Sequence, residues 1–372
     1  MKLIKAGESH GEAMTGILVG VPAGIPVDKE KINADLKERN FAYGRSSRQL
    51  AESDVIGFIS GLFDGKTNGN DVALSIKNDV RTVSSGDEPS DKCADGALPP
   101  LTKLRPGHAD LPGIVRFGFE DARAVAEGSS ARNTCIDVAA GRIALSMLDG
   151  LGISVAAFVR AVGKTGDESD YSSDALKDIR APFFTPSVSA AKSFKEETDT
   201  VAKNGDTVGG IVELRVCGIK AGVGSYTAES RVSGAIARDL FSIQAVKGVR
   251  FGDISFSLGL YGSEYSDELQ FDENGKRVKT SRSGGIDGGM TNGAEIKITV
   301  AVKPLPTSKK GVPSSDVFGN PVLSAKERAD VTAVFALCPI LRARLAITLC
   351  DLITKDFGCD NLSSIAARYN ER

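Results

Sequence analysis

The sequence predicts an α+β protein with antiparallel strands, and three of its features lead there. Glu295 to Val302 alternates cleanly, setting Ile296, Ile298, Val300 and Val302 on one face as a half-buried antiparallel strand requires. Cys135, Val138, Ala139, Ile143, Ala144 and Met147 form a stripe at helical spacing that Gly150 stops. The 41 glycines in 372 residues imply many tight turns. No stretch reads as a domain boundary, so one domain over residues 1–372 is expected.

The other elements follow from local chemistry. Asp28, just after Pro26, caps a helix over Lys29–Arg39 in which Ile32 and Leu36 share a face. Ser129 or Ser130 caps the helix that carries the stripe above. Thr227–Ile243 reads as a further helix, with Val232, Ile236, Leu240 and Ile243 in phase. Ser324-Ala325-Lys326-Glu327 has the pattern of a capping box, opening a helical stretch that Pro339 interrupts before Ile340–Asp356 resumes it. Strands are expected at Gly16–Val21, Val55–Ile59, Val72–Lys77, Ile153–Val162 and Gly210–Val216. Segments 162–206 and 264–282, polar and rich in turn residues, read as excursions from the core.

A weak repeat runs through this plan. Asp64-Gly65-Lys66-Thr67-Asn68-Gly69 precedes the strand at Val72, and Asp287-Gly288-Gly289-Met290-Thr291-Asn292-Gly293 precedes the strand at Ile296. Thr207-Val208-Gly209-Gly210 is a fainter third copy. Recurrent glycine turns produce such a pattern, and so do two related sheet halves.

Composition narrows the function. With 41% hydrophobic and 25% charged residues the chain is a folded protein, not a disordered one. A formal net charge of −2 and the absence of a polybasic block argue against nucleic acid. No apolar run approaches a membrane span and Met1–Ala6 has no leader pattern, so a soluble, cytoplasmic location is expected. Six cysteines without a C-x-x-C pair, beside two histidines, support neither a disulfide scaffold nor a metal site. The partners expected are small molecules.

Those two histidines carry the chemistry. His10 lies in Gly7-Glu8-Ser9-His10-Gly11 and His108 in Leu104-Arg105-Pro106-Gly107-His108-Ala109-Asp110, both polar, glycine-flanked loops suited to close approach by a ligand. An imidazole near a phosphate dianion is a competent proton donor at neutral pH, so both are assigned as general acids. Arg39, Arg45 and Arg48 crowd one stretch against a single acid, Glu38, and guanidinium forks match carboxylate and phosphate. Ser129-Ser130-Ala131-Arg132 stands at a helix start, where free N–H groups already favour an anion and where an arginine is out of place unless an anion joins it. Arg328, with Asp330 two residues on, follows the same logic. The run Ser283–Gly289 and Lys303-Pro304-Leu305-Pro306-Thr307 could line a flat cofactor, although neither is a nucleotide-binding fingerprint.

Eight collinear pieces together resemble chorismate synthase. They are Gly7–Gly11, Gly20–Pro26, Tyr43-Gly44-Arg45, Arg105–Asp110, Ser130–Thr134, Val138–Gly141, Ala245–Val249 and Gly284–Gly289, and the likeness spans residue 7 to about 357. The resemblance implies a β-α-β sandwich, with helices between antiparallel sheets, and a homotetramer. It implies a 1,4-anti elimination in which 5-enolpyruvylshikimate 3-phosphate loses phosphate and a ring proton to give chorismate, with reduced FMN required and not consumed.

Carried over by motif, His10 stays close to or protonates the reduced flavin, His108 protonates the departing phosphate, and Asp330 helps move the ring proton through the flavin N5. Arg39, Arg45, Arg48, Arg105, Ser130, Ala131, Arg132 and Arg328 hold the substrate. Ser9, Ser129, Ser130, Gln244, Ala245, Gly288, Lys303, Thr307 and Arg328 hold the cofactor. No metal is implied. NADPH, which the family links with Arg39 and Arg45, enters only as an external reductant, by way of a separate flavin reductase.

The chain departs from the family's usual residues at Gly128, Asn133, Gln244, Ala329 and Arg342. Two other readings stay open: a flavin oxidoreductase that uses the same pocket for net redox chemistry and, on the strength of these five departures, a paralogue that binds phosphorylated ligands without turning them over.

Overall fold

The computed structural model describes residues 1–46, 54–78, 100–177, 179–252, 259–271, 280–324 and 330–372. The chain starts with antiparallel strands β1 (Lys2–Ala6) and β2 (Ala13–Val19), and the His10 loop joins them. Helix α1 (Lys29–Asn40) follows, capped by Asp28, whose carboxylate accepts the Lys31 N–H at 3.0 Å. Next come β3 (Ile56–Phe58), a small hairpin of β4 (Leu62–Phe63) and β5 (Lys66–Thr67), and β6 (Val72–Lys77). The first sheet is ordered β1-β2-β6-β3, antiparallel throughout. Helices α2 (Asp110–Phe117) and α3 (Arg123–Ser129) lead through a tight turn at Ala131–Asn133 into α4 (Thr134–Asp149).

The second half comprises β7 (Ser154–Val162), β8 (Thr165–Gly166), α5 (Val188–Lys203), β9 (Gly210–Cys217), α6 (Val232–Phe241) and β10 (Val246–Phe251). After these come the hairpin β11 (Ile286–Asp287) and β12 (Met290–Thr291), β13 (Ile296–Val302), the pair β14 (Pro313–Ser315) and β15 (Pro321–Leu323), α7 (Val334–Phe357) and α8 (Leu362–Glu371). The second sheet runs β8-β7-β9-β13-β10, again antiparallel. The alternation in β13 is borne out, because Ile296, Ile298, Val300 and Val302 are all buried.

The order β7-β9-β13-β10 repeats β1-β2-β6-β3, and each half places its small hairpin just before the corresponding inner strand. The likeness reaches single hydrogen bonds. Thr67 donates its hydroxyl to the Pro22 carbonyl and accepts the Ile25 N–H at 2.9 Å; Thr291 donates to Lys220 and accepts the Val223 N–H at 3.0 Å. Two related halves thus account for the repeat seen in the sequence. The fainter copy at Thr207–Gly210 runs directly into β9 and forms no hairpin.

Helices fill the space between the sheets. α4 packs on β2 and β6, α7 packs on β7 and β9, and the two helices pack on each other. Arg344 meets Asp137 at 3.5 Å and Cys350 meets the Ala144 carbonyl at 3.3 Å, so contacts advance together along both helices. Their N-termini therefore lie at one end of the molecule. Both halves contribute to one continuous buried cluster. Among the described residues no helix is long and apolar enough to cross a membrane.

The helix crossing depends on Gly141. A Cβ there would stand 2.2 Å from Ala343 Cβ and 2.5 Å from its Cα. Gly141→Ala gains about 1 kcal/mol of helix propensity but forces apart two buried helices, an overpacking cost of about 1–3 kcal/mol or more. A net loss of stability is expected, read as a lower midpoint in chemical denaturation.

Three expectations are corrected. Pro339 does not interrupt α7, which runs unbroken from Val334 to Phe357. Pro339 sits in the second turn, where its missing N–H removes a single bond from a helix otherwise held by burial on all sides. The proposed capping box is not the start of this helix; Ser324 Oγ instead accepts the Val312 N–H at 3.0 Å beside β15, and residues 325–329 lie outside the described residues. Segment 162–206 is also more than an excursion. It supplies α5, whose Ala190, Phe194 and Thr198 are buried at four-residue spacing, a narrow stripe that the surrounding Ser, Lys and Glu conceal.

Candidate active site

The His10 loop folds down onto α3. His10 Nδ1 lies 2.6 Å from Glu127 Oε1, while the His10 N–H donates to Glu127 Oε2 at 2.9 Å and the Ser9 hydroxyl donates to that same oxygen. Burial pushes the Glu127 carboxyl upward, but the hydrogen bonds from Ser9 and His10 outweigh it and hold the group below the usual range. The imidazole itself is 48% exposed.

His108 has the same arrangement in a more enclosed setting. Its side chain is 20% exposed, and Nδ1 lies 2.6 Å from Asp110 Oδ1. Asp110 is wholly buried, and Arg105 clamps it through Nε and Nη2, each at 2.8 Å, and through its backbone N–H at 3.0 Å. Burial alone would raise the Asp110 carboxyl; Arg105 and His108 overcome this and hold it well below the ordinary value.

The arginines converge on an acid that sequence reasoning missed. Asp54 is buried, with Arg132 Nη2 at 2.7 Å and Arg39 Nη1 at 3.6 Å. Arg39 also donates to Thr134 Oγ1 at 3.1 Å and to the Ala131 carbonyl at 3.2 Å, which fixes the turn entering α4. Ser130 caps that turn, its hydroxyl accepting the Arg132 N–H at 3.2 Å, while Ser129 closes α3. Neither serine caps α4 itself, contrary to expectation: the helix starts after Asn133, whose side chain makes no capping bond, because the tight turn that Ser130 caps intervenes. Asn78 ties this cluster to the first histidine: it accepts from Arg132 Nε at 3.0 Å and donates to the Glu8 and Gly11 carbonyls at 3.1 and 2.7 Å.

The second half closes the ring. Gln244 Nε2 reaches the Ser129 carbonyl at 3.4 Å and Asn133 Oδ1 at 3.3 Å, so two of the family departures are bonded to each other. The Ala245 carbonyl accepts the Lys303 N–H at 2.9 Å, and Lys303 Nζ donates to the Gly107 carbonyl at 2.7 Å, next to His108. Burial and nearby Lys247 lower the Lys303 amine from its ordinary value. Thr307 is half-buried in the segment after β13. Asp330 is buried before α7, with Arg45 Nη1 at 3.3 Å and the Ser46 N–H at 2.7 Å.

Most candidates therefore meet at the end of the molecule where α4 and α7 begin. Gly288 does not join them within one chain. It lies at the turn between β11 and β12, at the start of the seven-residue strand β13, with Lys303 just beyond its other end, roughly 23 Å away. Arg48 and Arg328, and with them the departure at Ala329, lie outside the described residues. Glu127, Asp54 and Asn78 are the functional candidates that sequence reasoning passed over. Each is an isolated polar residue whose partner is tens of positions away, and no local pattern singles it out.

Two other departures have plain physical readings. At Gly128 a Cβ would meet nothing within 4 Å, so the backbone there has no steric need for glycine. Arg342 Nη2 lies 3.2 Å from Asp35, which Arg142 already engages at 2.7 Å, so two arginines share one carboxylate. This pair borders a separate cavity of about 230 Å³ against β7, also lined by Arg180 and Arg215, whose guanidinium groups meet Glu38 and Glu213.

Comparison with known proteins agrees across the chain. A family model described as chorismate synthase matches residues 1–354. The chain is 38% identical over 383 residues to a chorismate synthase of Thermus thermophilus, covering 100% of this chain and 99% of that one. It is 36% identical over 382 residues to a chorismate synthase of Geotalea uraniireducens, covering 99% and 97%. A crystal structure of chorismate synthase superimposes with a TM-score of 0.78 at 28% identity, covering 100% of this chain and 96% of that one.

Proposed function

This chain belongs to the chorismate synthase family, and from that premise we propose that it catalyses the 1,4-anti elimination of phosphate from 5-enolpyruvylshikimate 3-phosphate to give chorismate, with reduced FMN required and no net redox change. The observation that carries this reading is the pairing of two imidazoles, each backed by a carboxylate at 2.6 Å, with arginines gathered at two helix N-termini. Such an end of the molecule favours anions, as a substrate with two carboxylates and a phosphate demands.

The residues present fit a flavin. Ser129 Oγ and Gln244 Oε1 are buried and have no hydrogen-bond partner among the described residues, so a ligand bearing polar ring atoms would satisfy groups the protein leaves open. Ser9, Ser129, Ser130, Gln244, Ala245, Lys303, Thr307 and Arg328 would hold it, and Gly288 would have to reach it from another copy. When bound, reduced FMN supplies electron density to the allylic system. The chain supplies the rest. Arg39, Arg45, Arg48, Arg105, Ser130, Ala131, Arg132 and Arg328 bind and orient the anionic groups.

His108 donates a proton at Nε2 to the departing phosphate, its Nδ1 being engaged by Asp110. Asp330, a carboxylate held by Arg45 and the Ser46 N–H, helps move the ring proton away, and His10 holds a proton beside the cofactor. The elimination balances: one C–O bond and one C–H bond break, one C=C bond forms, and phosphate and a proton leave.

The same proposal includes one working domain over 1–372, supported by the continuous core, and a homotetramer. Ile4 and Ile17, paired across β1 and β2, stay exposed on the first sheet as a face another copy can cover. It also includes an external reductase that draws on NADPH. The test is an anaerobic assay with chemically reduced FMN that follows phosphate and chorismate together. Equal release of both is expected with catalytic flavin. Oxidation of NADPH in proportion to product, or no turnover by folded, flavin-bound protein, overturns the proposal.

A further inference from the structure

Both histidines have a carboxylate against Nδ1, and the role assigned to His10 leaves unstated what that carboxylate does. A carboxylate only accepts hydrogen bonds, so an imidazole nitrogen 2.6 Å from one must carry a proton. For His108 the partner is Asp110, two residues away and already neutralised by Arg105. For His10 the partner is Glu127, brought from α3, 117 positions along the chain. Glu127 does three things at once: one oxygen meets Nδ1, and the other receives both the His10 N–H and the Ser9 hydroxyl. The ring, the backbone and the neighbouring side chain are all referred to one rigid group on a helix. Asn78 pins the backbone of this loop at Glu8 and Gly11, and Glu127 is the group that meets the ring at Nδ1.

We propose that Glu127 is a positioning residue for this site: it fixes His10 in the form protonated at Nδ1, so that Nε2 is the nitrogen at which His10 gains and loses its working proton. The inference rests on the placing of His10 in the active site, and it deepens that reading by naming what orients it. Aspartate behind histidine in hydrolytic triads acts by the same physics, setting tautomer and angle without taking the proton. The two histidines then differ in kind. The Asp110 clamp stands two residues from its histidine, at the start of α2, whereas the Glu127 clamp joins the β1–β2 loop to α3.

The presence of only two histidines makes the test direct. In ¹⁵N-labelled, ligand-free protein above the imidazole titration range, the nitrogen shifts report which ring nitrogen of each is protonated, and a His108→Gln sample assigns them. Wild-type His10 is expected as the Nδ1–H form. Glu127→Ala is expected to abolish that form at His10 and leave the His108 signals in place, the latter showing that the fold is intact. In turnover, kcat should fall at least about tenfold, the lower range for a group that orients a working imidazole, with KM changed less than kcat.

An Nε2–H form of His10 in the wild type overturns the proposal without any variant, and so does an unchanged His10 spectrum in Glu127→Ala. These readouts are independent of the reaction. An inactive wild type with the Nδ1–H form sinks the function and spares the clamp; an active one with the other form does the reverse.

Discussion

His108→Ala is expected to slow phosphate release by about 10²–10⁴-fold, the range for removing a general acid, while the KM for the enolpyruvyl substrate moves only a few-fold. The expectation follows from where the imidazole stands. Lys303 holds the Gly107 carbonyl at 2.7 Å and Asp110 holds Nδ1 at 2.6 Å, so the ring is fixed from both sides before any substrate arrives. The substrate's charges, by contrast, are left to the arginines, which the change does not touch. Rapid-quench measurement of phosphate in a single anaerobic turnover separates the two. An unchanged rate removes His108 from its role, and a rise in KM alone makes it a binding residue.

Asp110→Asn carries the largest expected effect on stability. The carboxylate is wholly buried and is bonded by Arg105 Nε and Nη2, so removing its charge takes away the carboxylate that these two groups of a 9% exposed guanidinium engage. Breaking one side of such a pair costs about 3–5 kcal/mol. The pH dependence has a definite sign. Because folding depresses the Asp110 carboxyl below its unfolded value, the stabilisation is complete above the ordinary aspartate range, near about pH 4. It drains away as the pH falls further. Urea titrations of wild type and variant should therefore differ most at neutral pH and converge in acid. A constant difference across that range would show that Asp110 acts by shape and not by charge.

The parts of this protein that could be read without a structure are those whose cause is local. Asp28 caps α1 three residues ahead of the amide it binds, and β13 alternates because one side of a strand faces a helix layer. Pro339 was misread for the opposite reason. Its local penalty is real, yet burial around α7 outweighs one missing bond. The doubled architecture was only half legible, since Thr67 and Thr291 make equivalent bonds that no spacing reveals.

The sequence alone determined that this chain has two histidines in glycine-bounded loops, arginines at a helix start, and a pattern shared with chorismate synthases. Tertiary structure alone decided which acid serves which base. Asp110 is a neighbour of His108, but Glu127 reaches His10 across 117 positions, and Asp54 joins Arg132 across 78. Gln244 meets Asn133 only because the two halves close on each other. A hydrogen bond depends on the separation of two atoms to within tenths of an ångström, and for residues this far apart that separation is set by the packing of sheets and helices, not by anything written beside either residue.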